Sequence, residues 1–148
     1  MSASNSLENS ILLLLFNNTA FANIGDASGL QPSATAGSFY VSLHTADPGE
    51  AGNQTSSECD YANYARVAVA RTSGGWTVST NSVTNTATIS FPKAAVGATP
   101  DVATHFGVGT ADSGAGVLLF SGELTDSLTI SQNITPQIPA SNLTITND

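Results

Sequence analysis

The chain has 148 residues, of which 41% are hydrophobic and only 9% are charged. This length and hydrophobic content suit a folded chain with a real core and argue against global disorder. Three Lys and Arg residues stand against eleven Asp and Glu, for a formal net charge of −8. So few cations argue against binding to nucleic acid and against electrostatic docking on an anionic membrane.

The N-terminal segment predicts a helix. Asn5 followed by Glu8 is typical of a helix start, and the apolar residues after it predict a helix over roughly residues 6–22. Other apolar residues widen its stripe almost all the way round, so we expect burial on more than one side. The helix either plugs the end of its own β-domain or packs in part on a neighbouring subunit. The stripe consists of Leu7, Ile11, Leu14, Leu15 and either Phe21 or Ala22.

The same segment superficially resembles a signal peptide. No Lys or Arg precedes it, however, and its strongly apolar run from Ile11 to Phe16 is only six residues long. Such a run is also far too short to span a bilayer. We therefore expect neither a signal peptide nor a membrane span.

After a connector rich in Gly, Ser and Pro at residues 23–37, the pattern changes to short strands. Turn residues separate many of them, which predicts a mainly β fold: an antiparallel β-sandwich or jelly-roll-like domain preceded by one apolar α-helix. We assign residues 1–37 to the helix and connector and residues 38–148 to the β-sandwich domain. The predicted strands are Phe39–His44, Tyr64–Arg71, Trp76–Ser79, Val83–Phe91, Val102–Thr110, Gly116–Gly122, Ser127–Ser131 and Asn142–Thr146.

The segment from residue 42 to residue 71 concentrates the residues that could carry chemistry. His44, Asp47 and Glu50 lie close together, but their spacing matches no structural zinc pattern and no calcium loop. The sequence "ADPGE" is better explained as a turn, in which Pro48 fixes φ and Gly49 supplies a permissive backbone. We therefore predict no metal and no cofactor.

Catalysis is not indicated either. Cys59 could in principle pair with His44 or His105, but neither a G-x-S-x-G elbow nor a phosphate-binding loop at a helix start occurs. Arg66 and Arg71 are separated by an odd offset along one predicted strand, so they cannot form one anion clamp unless a bulge intervenes. We expect each arginine to pair with an acid, and we predict that the protein is not an enzyme.

Five stretches of the chain carry a resemblance to known proteins: "LFNNTAFANIGDASGLQ" near the start, "FYVSLHTADPGEAGNQTSSE", "YARVAVARTSGGWTV", "THFGVGTADSGAGVLLFSGELT" and "ITPQIPASNLTITND". They resemble a family of small tailed-bacteriophage virion proteins that are commonly labelled tail-fibre proteins. The most specific part is "LHTADPGEAG" followed closely by "YARV". The resemblance covers nearly the whole chain and implies a structural role in the virion, with no enzymatic residues.

Three roles remain open. The acidic charge suits the outer head surface better than the DNA-lined interior, which favours a capsid decoration or cement protein. A tail or collar fibre that contacts the host is the alternative, although neither heptads nor repeats occur. A carbohydrate-binding or adhesin module is the third, and exposed Tyr61 and Tyr64 near Asp60 would favour it.

The expected partners are the major capsid protein or neighbouring virion subunits, including copies of this chain in a homo-oligomer such as a trimer. Nucleic acid and membrane are not expected as partners. The residues predicted to make subunit or capsid contacts are Leu7, Ile11, Leu14, Leu15, Phe21, His44, Asp47 and Glu50.

Overall fold

The chain is mainly β, with antiparallel sheets and one N-terminal helix, in a computed structural model that describes residues 2–147. The predicted fold class is therefore confirmed. The elements are α1 (Asn5–Asn17), β1 (Ser38–His44), β2 (Val67–Ala70), β3 (Trp76–Ser79), β4 (Ser82–Asn85), β5 (Ile89–Ser90), β6 (Asp101–Gly109), β7 (Leu118–Ile130), β8 (Gln137–Ile138) and β9 (Thr144–Thr146).

The chain divides into two compact units, each built from separate segments. Unit 1 contains residues 2–38, 70–88 and 139–147, and unit 2 contains residues 39–69 and 89–138. The helix thus shares its unit with segments that the sequence assigned to the second domain. The predicted boundary between residues 37 and 38 stays a prediction, and the end residues 1 and 148 of the two predicted domains lie outside the described residues.

The helix of unit 1 begins one residue earlier than the predicted capping pair. Ser4 is the N-cap, and its Oγ accepts a hydrogen bond from the backbone N–H of Leu7. The helix ends at Asn17, five residues before the predicted end, because Asn18 adopts a left-handed conformation (φ 50°). Asn tolerates this conformation better than most residues, and it closes the helix in the way glycine often does.

The buried side of α1 carries Glu8, Leu12 and Phe16, which follow one another at four-residue spacing. The Phe16 ring meets the Trp76 ring edge-on, with centroids 5.0 Å apart and an interplanar angle of 68°. Burial of an aromatic side chain of this kind contributes about 1.5–3 kcal/mol. At 13 residues α1 is short, and within residues 2–147 no helix is both long and apolar enough to cross a membrane.

The sheet of unit 1 has the strand order β3-β4-β9, and both pairings are antiparallel. The predicted long strand Val83–Phe91 is interrupted after Asn85, which is fully buried. Its side-chain amide donates to the carbonyls of Ala87 and Pro139, and its Oδ1 accepts from the N–H of Leu143, each at 2.9 Å. These bonds to irregular backbone end β4 and turn the chain away from the sheet.

Unit 2 contains a sheet of order β2-β1-β6-β7 and the short pair β5-β8. The last four residues of both β1 and β6, the two central strands of the larger sheet, are buried. Two predicted strands, Gly116–Gly122 and Ser127–Ser131, are one continuous strand, β7. The strand predicted at Tyr64–Arg71 corresponds to the shorter strand β2. The two-residue strand β8 was not predicted.

Candidate functional site

The loop that follows β1 is held by an ion pair in unit 2. Arg66 binds Glu58 through both carboxylate oxygens, with Nε–Oε1 at 2.7 Å and Nη2–Oε2 at 2.8 Å. Tyr64 Oη donates to the same carboxylate, at 2.9 Å from Oε1. The side chains of Arg66 and Glu58 are only 3% and 14% exposed. The hydrogen bond to Glu58 raises the pKa of Arg66, and burial raises the pKa of Tyr64.

The same arginine also reaches the turn before β7. Its Nη1 and Nη2 donate to the carbonyls of Ala111 and Gly114, at 2.9 and 2.7 Å. A planar guanidinium with five donors can serve a carboxylate and two carbonyls at once. Arg66 therefore pairs with an acid as predicted, and its role is to fix two loops. No sequence pattern distinguished Glu58 from the other acids of this segment, so its role as the partner was missed.

Cys59 and Tyr61 lie in the interior of unit 2. Cys59 is a free cysteine that is 2% exposed, and burial together with the charge of Asp101 raises its pKa to about 12. A thiol in this state is protonated at neutral pH and is not a nucleophile. Tyr61 is 3% exposed, and its hydroxyl donates to the carbonyl of Pro92 at 2.9 Å. Tyr61 therefore contributes nothing to an exposed aromatic platform of the kind an adhesin module uses.

His44 is fully buried at the end of β1. Its Nδ1 lies 2.8 Å from the carbonyl oxygen of Ser56, which can only accept, so Nδ1 carries the proton. Nε2 then accepts from Ser42 Oγ, also at 2.8 Å. A serine and an imidazole at this distance could form a nucleophile and base, but both residues have no exposed surface and no substrate can reach them. Burial lowers the pKa of His44, which keeps the ring neutral.

A concave surface of unit 2 runs beside β7. It is a groove of about 640 Å³, lined by the six consecutive residues 118–123 together with Asp47, Gly49, Glu50 and His105. Asp47 and Glu50 of the predicted contact set are thus brought together here, whereas His44 lies buried. His105 and Glu123 were not in that set, although they stand directly opposite each other on β6 and β7. Within residues 2–147 no group of three or more His, Cys, Asp or Glu is arranged to hold a metal ion.

The apolar side chains of unit 1 that the sequence predicted as contacts are not fully buried within the chain. Leu7 is 38% exposed, and the other four have intermediate burial: Ile11, Leu14, Leu15 and Phe21. The next segment adds Ile24 and Leu30, which are 44% and 47% exposed. We call these seven residues the apolar surface of unit 1. None of its members carries a nucleophile, an acid or a base, so it is suited to packing rather than chemistry.

A family model described as Podophage GP4 fiber I protein gp80 matches residues 2–146, nearly the whole chain. No curated protein matches the chain.

Proposed function

The chain belongs to the gp80 family of podophage GP4 fiber I proteins, and on this basis we propose that it is a non-enzymatic subunit of a fibre on the virion exterior, attached through the apolar surface of unit 1. Membership of this family makes it a structural protein of a bacteriophage virion. The observation that carries the mode of attachment is the incomplete burial of five apolar residues along and just after α1.

The first support for this proposal is that the apolar residues of the helix differ in burial. Leu12 and Phe16 already bind α1 to its own unit, because both are buried. Leu7 and Ile11 are less buried: Ile11 has intermediate burial and Leu7 is 38% exposed. Apolar area removed from water contributes about 25 cal/mol per Å², so a neighbouring subunit gains free energy by covering this surface. In this proposal Leu12 and Phe16 pack the helix against its own unit, and Leu7 and Ile11 contact a neighbouring subunit.

The second support is the use of the few cations. Arg66 is bound to Glu58, and Arg71 binds carbonyl oxygens at the end of α1, whereas Lys93 is exposed. With a formal net charge of −8 the protein is poorly suited to contact packaged DNA. An acidic protein with an apolar contact surface suits the outside of the particle.

The proposed partners are neighbouring virion subunits. Copies of the same chain around a symmetry axis, as in a trimer, would bury the same surface on every subunit and close the assembly. Asp47 and Glu50, which are exposed beside the groove, are available for polar contacts with a further subunit. His44 is buried, so the proposed contacts omit it.

A second candidate is a decoration or cement protein on the outer head surface, with the major capsid protein as partner. The sequence favours it, because neither the heptads nor the repeats common in fibre shafts occur. The same apolar surface would then pack on capsid subunits.

Two experiments test the proposal. The first is a cryo-EM map of the intact particle. In the second, a phage that lacks the gene is grown in cells that produce the Leu7→Asp variant, and purified particles are analysed for the variant protein. We expect density for the chain in fibres, and we expect Leu7→Asp to fold but to be missing from purified particles, because a carboxylate on this surface opposes burial. Ser6→Asp, which adds the same charge to an exposed neighbour, is the matched control and should be incorporated. Density spread over the head would support the decoration role instead, and normal incorporation of Leu7→Asp would refute attachment through this surface.

A further inference from the structure

Strand β7 lies at an edge of the four-stranded sheet of unit 2. The strand is thirteen residues long and has a neighbouring strand, β6, on one side only, since the sheet order is β2-β1-β6-β7. An edge strand of this length presents a row of N–H and C=O groups that can template another strand. Which residues present them follows from the register of the sheet.

The direction of the backbone groups is fixed by Leu43 in β1. Its N–H donates to Tyr64 Oη and its C=O accepts from the N–H of Cys59, so both groups point away from β6. Phe106, which stands opposite Leu43, therefore turns its own N–H and C=O towards β7. Gly122 stands opposite Phe106 and turns its groups back towards β6.

Because the direction alternates along a strand, Ser121 and Glu123 point their N–H and C=O groups away from the sheet. Among the backbone hydrogen bonds described for residues 2–147 outside the strand ladders and helices, none involves either residue. Their side chains are exposed as well. Beyond them the pairing slips, because the register moves from His105↔Glu123 to Ala103↔Leu128, which leaves residues 124–127 as a bulge. The bulge interrupts the open edge of β7 after Glu123.

The groove follows β7 as far as Glu123. Its lining includes the consecutive residues 118–123, and at about 3.4 Å per residue this stretch is roughly 20 Å long, the length of a short strand. Three carboxylates line the groove, those of Asp47, Glu50 and Glu123, and its lining includes neither Lys nor Arg. A polar groove along an open strand edge is suited to an extended peptide, and its charge selects a basic one.

We propose that the open edge of β7 at residues 119–123 binds an extended, positively charged segment of another protein by strand addition. Backbone hydrogen bonds to Ser121 and Glu123 supply the affinity, and basic side chains that meet Asp47 and Glu50 supply the selectivity. A second copy of this chain is disfavoured as the occupant, because its β7 would bring further carboxylates into the groove. The proposal goes beyond attachment through the apolar surface, since it concerns a different unit and a different partner.

The test uses the full chain and a fluorescent eight-residue peptide of alternating Lys and Thr, acetylated and amidated at its ends. Binding is followed by fluorescence anisotropy at low salt. We expect saturable binding to this peptide and at least about tenfold weaker binding to the same peptide N-methylated at alternate residues, which keeps the charge and removes backbone donors. The Glu/Thr peptide of the same length should not bind.

Ser121→Pro is the matching change in the protein. Because the Ser121 N–H points away from β6, proline removes a donor of the open edge and spares the ladder, as edge strands permit. We expect it to weaken binding of the Lys/Thr peptide by about tenfold while the circular dichroism spectrum is unchanged.

Equal binding of the N-methylated peptide, or no binding of the Lys/Thr peptide, would overturn the proposal; neither result depends on whether Ser121→Pro folds. Dimerisation of the wild type that Ser121→Pro abolishes would also overturn it, because the edge would then serve a second copy.

Discussion

Two arginines, one in each unit, hold irregular segments in place through different acceptors. In unit 2, Arg66 is 3% exposed at its side chain and binds the carboxylate of Glu58 through two short bonds. In unit 1, the bonds described for Arg71 include the carbonyl oxygens of Leu14, at 2.9 Å, and Leu15, near the C-terminal end of α1. The first arginine neutralises a mostly buried charge, whereas the second satisfies neutral groups that a helix end leaves without partners.

The difference between the two arginines shows where the few positive charges of the chain are placed. The protein has only three Lys and Arg residues. Two of them, Arg66 and Arg71, donate hydrogen bonds to backbone carbonyls of loops and of a helix end within the chain. The other charged residues are mostly acidic, since eleven Asp and Glu stand against the three Lys and Arg. The difference also predicts that the two arginines differ in the cost of their removal.

The largest expected effect is that of Arg66→Met. The substitution leaves Glu58 mostly buried without its cation and removes the bonds to the carbonyls of Ala111 and Gly114. Removing one partner of a buried ion pair destabilises a protein by about 3–5 kcal/mol. We expect a loss of this size in the free energy of unfolding, measured by urea denaturation.

Lys93→Met is the matched control, because it removes the same charge from an exposed residue. Its effect should stay within about 0.5 kcal/mol. If Arg66→Met and Lys93→Met cost the same, Arg66 is not the anchor of its unit and the contrast with Arg71 fails.

The second effect is that of Arg71→Met, which removes donors from the carbonyls of Leu14 and Leu15. We expect a loss of about 1–3 kcal/mol, the cost of leaving partly buried acceptors unsatisfied. The loss should be accompanied by fraying of the last turn of α1, seen as faster amide hydrogen exchange there. A loss as large as that of Arg66→Met, or unchanged exchange in α1, would contradict the helix-end role.

The contrast between the arginines was only partly visible in the sequence. The argument from the odd offset between Arg66 and Arg71 assumed that both lie on one strand, but β2 spans Val67–Ala70 and both arginines flank it. The identity of Glu58 as a partner depends on how the chain folds back over eight residues, which no periodicity encodes. Composition and alternation were enough for the mainly β class and the N-terminal helix.

The predicted ends of helices and strands were wrong at positions where a single side chain determines the end of the element. Asn18 ends the helix through a left-handed backbone, and the buried amide of Asn85 ends β4. Both depend on tertiary partners, since the Asn18 amide exchanges hydrogen bonds with the backbone of Ser33. The open edge of β7 could not be predicted from the sequence either, because the order of the strands in the sheet decides which strand lies at an edge.

The third prediction concerns pH and belongs to unit 2. Burial holds the pKa of His44 below its ordinary value of 6.5, against the opposing effects of the Ser56 carbonyl and Glu58. Arg66 and His105 add to the lowering. The unfolded chain therefore binds a proton before the folded chain does, so stability is lost as the pH falls from the unfolded pKa of 6.5 towards the lower folded pKa.

The measurement is the free energy of unfolding at several pH values between about 7.5 and 5. His44→Gln keeps a donor for the Ser56 carbonyl but cannot titrate, so its slope against pH should be shallower than that of the wild type. Identical slopes would show that His44 does not cause the loss.

The smallest effect is expected for Asp47, which lies in the exposed turn after β1. Its Oδ1 accepts from the N–H of Gly49 at 2.9 Å, so Asp47→Ala should cost about 0.5–1 kcal/mol, the net worth of one hydrogen bond. Asp47→Asn keeps the acceptor and should leave stability unchanged. Because Asp47 also lines the groove beside β7, both variants should weaken binding of the Lys/Thr peptide to a similar extent. If only Asp47→Ala weakens binding, the turn rather than the charge matters to the groove, and selection of a basic partner loses its support.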